Sequence, residues 1–177
     1  MEPLLSLSPL DGRYSAKVDA LRSIFSEFGL IQRRVTVEIA WLSALAECPH
    51  IAEVPSLSGT DSALLDALAT GFTPADAQEI KRIESTTNHD VKAVEYFIKS
   101  AISTSPTLSA ISEFIHFACT SEDINNLSHA LMLRDGHHVL RNAYAEIYDA
   151  LAGLAHEHAD RPLLRSEEHT SELQSPD

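Results

Sequence analysis

Basic side chains are scarce: thirteen Lys and Arg stand against twenty-six Asp and Glu, a formal net charge of -13 over 177 residues. No local cationic cluster offsets that charge, so nucleic acids and anionic membrane surfaces are not expected partners. Cysteine is as sparse. Cys48 and Cys119 lie far apart among apolar residues and form no C-x-x-C pair, so both read as buried free thiols of a reducing compartment. No apolar run approaches the length of a bilayer crossing, and Met1 to Leu5 offer neither a basic n-region nor a long apolar h-region. A soluble cytoplasmic protein is the expectation. Glycine-rich phosphate loops and Ser-His-Asp arrangements are also missing, which leaves no support for a triphosphatase, a hydrolase or a redox enzyme. His137 and His138 are adjacent, and His156 and His158 are two apart. Both pairs diverge around a helix, so no metal is expected. Aromatics make up only 6% of the chain against 44% hydrophobic residues. A core of Leu, Ala, Ile and Val suits packed helices.

The apolar residues that are present recur at helical spacing. After an irregular leader with the turn-like Pro9-Leu10-Asp11-Gly12, Val18, Leu21, Ile24, Phe25, Phe28, Ile31, Val35, Ile39, Leu42 and Leu45 predict one long amphipathic helix from Ser15 to Cys48. Asp61 to Thr70 predicts a shorter helix stopped by Gly71, and Thr73-Pro74-Ala75-Asp76 starts another that runs to Ser85. Asn88-His89-Asp90 precedes Val91, Val94, Phe97, Ile98 and Ile102, with Asn88 as the expected cap. Beyond Ser105-Pro106-Thr107 the helical period resumes at Ile111, Phe114, Ile115 and Ala118. Thr120-Ser121-Glu122-Asp123 opens a proline-free stretch from Ile124 to about His158, long enough for a bundle helix. No strand pattern competes, so the fold class is all-α. His116 and His129, on apolar faces, read as satisfied core residues.

Three polar segments coincide with helix starts, where free N–H groups and the positive dipole end can hold an anion. In Asp11-Gly12-Arg13-Tyr14, the glycine permits a tight turn that presents Arg13 as a forked donor and Tyr14 as a hydroxyl or stacking partner. The plain alternative is a loop arginine held by a surface carboxylate. In Thr86-Thr87-Asn88-His89-Asp90, capping accounts for Asn88 and Asp90 but not for an imidazole, which leaves His89 as a hydrogen-bond or acid-base group. In Cys119 to Asn126, Thr120 or Ser121 caps. The paired Asn125 and Asn126 lower helix propensity, so one of them is kept for amide hydrogen bonding or both face solvent.

Taken in order, Ser8 to Tyr14, Thr86 to Phe97 and Ser112 to Leu127 resemble the bacterial adenylosuccinate lyases of the fumarase/aspartase superfamily, and the resemblance runs from about Met1 to Leu164. It implies an N-terminal helical domain over residues 1–110 and, over 111–164, the first long helix of a central bundle. The implied homotetramers assemble their active sites from several subunits. The implied reaction eliminates fumarate from adenylosuccinate, giving AMP, and from the succinylated aminoimidazole carboxamide ribotide of purine biosynthesis, with no metal or organic cofactor. By the same resemblance Arg13 and Tyr14 bind the nucleotide, Asn88, His89 and Asp90 line the substrate, and Thr120 with Ser121 holds a carboxylate. The family's general base is a serine on a mobile downstream loop, and its acid a histidine in a Ser-Arg-Thr-His-Gly-Gln stretch after Pro-Leu-Leu. Neither segment is present. Aligning on Pro162-Leu163-Leu164 puts Glu168 at the acid's position and His169 one residue late. The chain alone is therefore expected to be inactive, with His89 able to assist protonation in a complete enzyme. Two alternatives remain: a non-catalytic helical interaction module, or another lyase of the superfamily, against which the Asn88-His89-Asp90 segment argues. Cut from a bundle, the long helix after Ser121 should expose its inner face.

Arg165 to Asp177 is polar and aperiodic, a composition that reads as disordered. Its first eleven residues, to Ser175, match codon by codon the translation of a common sequencing-library adapter. The tail is therefore expected to be foreign to the gene.

Overall fold

Small polar side chains decide where the helices begin. In a computed structural model that describes residues 3–162, Ser26 accepts from the Gly29 N–H and starts α2, Glu27–Glu47. Ser58 accepts from Asp61 and starts α3, Gly59–Thr70. Thr73 and Asp76 exchange bonds in a capping box ahead of Pro74, starting α4, Pro74–Thr87. Ser105 accepts from Leu108 at the start of α6, Pro106–Ala110. Each cap satisfies an N–H that the helix itself leaves free, worth about 1 kcal/mol. Two further helices are α5, Asp90–Ile102, and α7, Ser121–Glu157. Among the described residues there is no strand. Arg165–Asp177, with Glu168 and His169, lie outside the described residues, as do Leu163 and Leu164.

The expected helix from Ser15 to Cys48 is not continuous. Two 3-10 turns, Ser15–Lys17 and Asp19–Leu21, lead into the four-residue α1, Arg22–Phe25, and the chain then turns at Ser26 before α2. Ser26 is extended, with ψ 167°, which lets its hydroxyl reach the Gly29 N–H. Gly29 makes the turn possible, because a Cβ there would stand 2.3 Å from the Ile24 carbonyl oxygen. Apolar spacing carries on through Ser26, which is why periodicity alone misses the break.

The segment from Ile111 to Ala118 also departs from helix. Ile111 and Ile115 are buried, but only Ser112–Phe114 makes a 3-10 turn, and His116 and Ala118 adopt positive φ of 63° and 59°. Two long-range bonds hold this path: Trp41 Nε1 donates to the Phe117 carbonyl at 2.8 Å, and His116 Nδ1 lies 2.6 Å from Glu38 Oε1. A left-handed conformation in a residue with a Cβ persists only when its surroundings hold it there. His116 is thus a satisfied, partly buried residue, whereas His129, expected in the core, is exposed. Cys48 and Cys119 are half-buried rather than core residues.

The chain divides into two units, Met1–Val139 and Leu140–Asp177. In the first, α5 lies against α2 and α4, and α3 covers α2. Val35, Leu42, Leu65, Ile80, Val94, Ile98, Ile102 and Leu108 fill the core they enclose. Asp61 links two helix starts, since one of its oxygens takes the Ser58 hydroxyl and the other the Ser105 hydroxyl, each at 2.7 Å. The N-terminal half of α7 buries Ile124, Ser128, Met132 and Gly136, one residue per turn, with Ile124 against Val37 and Val91 and Gly136 under the Phe25 ring. In the second unit, Leu140, Tyr144, Ile147, Tyr148, Leu151 and Leu154 of α7 are exposed, which matches the expectation of an unpartnered apolar face.

Candidate functional site

The second candidate segment sits between two helices. Asn88 does not cap α5 as expected. It closes α4 in the left-handed conformation, φ 52°, a role asparagine takes at low cost. The N-cap of α5 is His89, whose Nδ1 accepts the Lys92 N–H at 3.1 Å. This explains the imidazole locally, and it also places the neutral ring's proton on Nε2, free to donate outward from a side chain that is 52% exposed. Asp90 follows, with Oδ1 accepting from the Val91 N–H at 2.9 Å and Oδ2 on Arg34 Nη2 at 2.6 Å. Burial favours the neutral form of Asp90, but the Val91 N–H and the Arg34 guanidinium outweigh it and hold the carboxyl below its ordinary value.

The third segment begins with Thr120, whose N–H and hydroxyl both donate to Asp123 Oδ2, at 2.7 and 3.0 Å. The Thr120 N–H and then its hydroxyl hold the Asp123 carboxyl below its ordinary value. Ser121 is half-buried at the first position of α7. Asn125 resolves the question left open by the paired asparagines. Its Oδ1 accepts from Arg34 Nε at 2.9 Å and its Nδ2 donates to Glu122 Oε1 at 3.2 Å, while Asn126 is exposed.

Arg34 therefore joins the second and third segments, although nothing in its sequence neighbourhood marks it as functional. It is 8% exposed and projects from α2 between the starts of α5 and α7. Glu38, one turn further along α2, was missed as well. The only signal for either was a charged residue at the helical phase of Ile31, Val35 and Leu42, where the period expects apolar side chains.

Glu38 is fully buried, and its Oε2 has no hydrogen-bond partner among the described residues. Burial pushes its carboxyl up, and the nearby Glu95 adds to this against the opposing pull of His116. A raised native value means that Glu38 supports the fold in its protonated form. That contribution is complete below the ordinary value of 4.5 and is lost as pH climbs through the native value. Urea unfolding should therefore show wild type losing stability relative to Glu38→Gln as pH rises from about 4.5 toward neutrality. A pH-independent difference would contradict this. Burial, followed by the Glu38 and Asp123 charges, also raises the Cys119 thiol, as expected of an unreactive cysteine.

The first segment forms its own turn. Gly12 is buried in a turn whose N–H bonds to Ser8 O at 3.0 Å, and Arg13 stacks over Tyr14 at 5.0 Å, both side chains exposed. Among the described residues no hydrogen bond or ion pair joins either to His89 or Ser121. Among the described residues no surface carboxylate holds Arg13; it is Arg22 that lies 3.8 Å from Asp11. Among the described residues no group of three or more His, Cys, Asp or Glu could hold a metal ion, and no helix is long and apolar enough to cross a membrane.

The lyase family model matches residues 12–164. Among curated proteins, the adenylosuccinate lyases of Vibrio cholerae serotype O1, Haemophilus influenzae and Escherichia coli K12 are 55%, 54% and 52% identical over 165 residues, 93% of this chain. The chain spans 36% of the length of each of these relatives. The family match takes in all of α1 to α7 together with Arg13, His89 and Ser121, and on that ground the chain belongs to the lyase family.

Proposed function

We propose that this chain is the substrate-holding first part of an adenylosuccinate lyase, which eliminates fumarate from adenylosuccinate and from the succinylated carboxamide ribotide of purine biosynthesis. The observation that carries the reading is the Asp90–Arg34–Asn125 bridge, which sets the starts of α5 and α7 beside one another. Both substrates are polyanions, and adjoining helix starts offer N–H groups and positive dipole ends to such a ligand. In this arrangement Arg13 and Tyr14 take the nucleotide, Asn88, His89 and Asp90 line the substrate, and Thr120 and Ser121 hold a carboxylate. The reaction removes a proton beside a carboxylate and breaks the carbon–nitrogen bond. Stabilising the negative charge that builds up on that carboxylate is the largest task of the site.

The general base and acid are not among these residues, so the chain by itself turns over nothing. The reading divides it into a helical domain over 1–110 and the beginning of a central bundle over 111–164. The exposed apolar residues of α7 beyond Leu140 then belong to the inside of that bundle, in a cytoplasmic homotetramer whose subunits share active sites. The first segment is completed by another subunit in this reading, since among the described residues Arg13 and Tyr14 bond to neither of the other two.

The test is to join residues 1–164 to the remaining length of the Vibrio cholerae relative and follow fumarate release from adenylosuccinate. This completed enzyme should turn over, whereas the 177-residue chain should not. A folded, assembled but inactive completed enzyme would overturn the reading.

A further inference from the structure

We infer that Arg34 is a positioning residue of the substrate site, fixing the charge of Asp90 and the amide orientation of Asn125 so that both helix starts present a surface a polyanion can approach. The inference rests on the function proposed above, and it adds a residue that touches no substrate.

Two physical problems meet at this point. Asp90 lies in the segment that would line the substrate, and a bare carboxylate there would repel a multiply negative ligand. Asn125, one turn into α7, can present either its carbonyl or its amide hydrogens, and the carbonyl would repel the same ligand. One guanidinium answers both. Its Nη2 takes Asp90 Oδ2 at 2.6 Å, and the other oxygen of that carboxylate is already engaged by the Val91 N–H. Its Nε takes Asn125 Oδ1 at 2.9 Å, which turns the amide nitrogen away toward Glu122. The other cations of this region are spoken for: Lys92 binds Glu95, Lys99 binds Glu95 and Glu113, and Arg33 binds Asp135. A lysine at position 34 could neutralise Asp90 as a point charge, but it lacks the planar fork that reaches two acceptors on two helices at once.

The experiment compares the completed enzyme with its Arg34→Lys and Arg34→Met variants, with kcat expressed per assembled active site and KM measured alongside. Arg34→Met should lower kcat/KM about tenfold or more, chiefly through KM, because the approach of the charged ligand is what is lost. Arg34→Lys should recover only part of the KM change, since the charge on Asp90 is again balanced but the Asn125 amide is no longer fixed. A purely structural role would lower the yield of assembled enzyme and leave KM unchanged, and that result would overturn the inference. So would equal KM losses in the lysine and methionine variants. If the parent completed enzyme is itself folded and inactive, the proposed function fails and the inference falls with it. An active parent with an unaltered Arg34→Met variant removes only the role of Arg34.

Discussion

His89→Asn should leave α5 as firmly started as it is now and lower kcat/KM of the completed enzyme by about 100-fold or more, the usual range for a positioned acid-base or hydrogen-bonding group. The substitution separates the two roles that His89 combines. Its Nδ1 caps the helix by accepting the Lys92 N–H, a task asparagine performs as well as any residue. The asparagine amide N–H does not reach the position of Nε2–H and cannot exchange a proton near neutral pH, so the outward acid-base group is lost while the cap is kept. His89→Ala removes both, and should in addition destabilise the protein by about 1 kcal/mol. Kinetics of the completed enzyme and urea unfolding of each variant check the pair. Equal activity of His89→Asn and wild type would make the histidine a cap and nothing more.

Gly29→Ala should destabilise the first unit by about 3 kcal/mol, at the upper end of overpacking costs. Its Cβ would stand 2.3 Å from the Ile24 carbonyl oxygen and 2.8 Å from that of Ser23, and both are backbone atoms that cannot rotate aside. Relief requires the turn at Ser26 to open, which breaks the α2 cap and moves Phe25 off Gly136. Gly59→Ala is the matched control. Nothing lies within 4 Å of its added methyl, so alanine there should be neutral or stabilise α3 by about 0.5–1 kcal/mol. Chemical denaturation of the three proteins decides the matter. A Gly29→Ala midpoint equal to wild type would mean that the turn at Ser26 is not as described.

Helical content, the starts of α4 and α7 and the exposed apolar face beyond Leu140 were legible in the sequence, because caps and the 3.6-residue period are local signals. The turn at Ser26 was not, since the apolar phase of Ile24, Phe25 and Phe28 continues across it. Its cause, a glycine accommodating a carbonyl from the preceding turn, depends on a fold-back that no spacing records. The path through His116 and Ala118 was hidden for the same kind of reason: Glu38 and Trp41, far away in sequence, hold it. At the candidate site, the residue types at 88–90 and 120–125 marked two helix starts that Arg34 joins, but one assignment within them changed and one was left open. His89 rather than Asn88 caps α5, and of the paired asparagines it is Asn125 whose amide is bonded, to Arg34 and Glu122. Arg34 was invisible because its meaning lies in bonds to residues 56 and 91 positions away, Asp90 and Asn125. Among the described residues Arg13 and Tyr14 have no hydrogen bond or ion pair to the other two segments, so what they bind is not written in this chain's own contacts.

The most direct measurement is a crystal structure of the completed enzyme with adenylosuccinate bound. It should show one ligand touched by Arg13 or Tyr14, by His89, and by Thr120 or Ser121, whether from one subunit or several. A ligand seated away from the starts of α5 and α7, with those side chains spread over separate surfaces, would contradict the account.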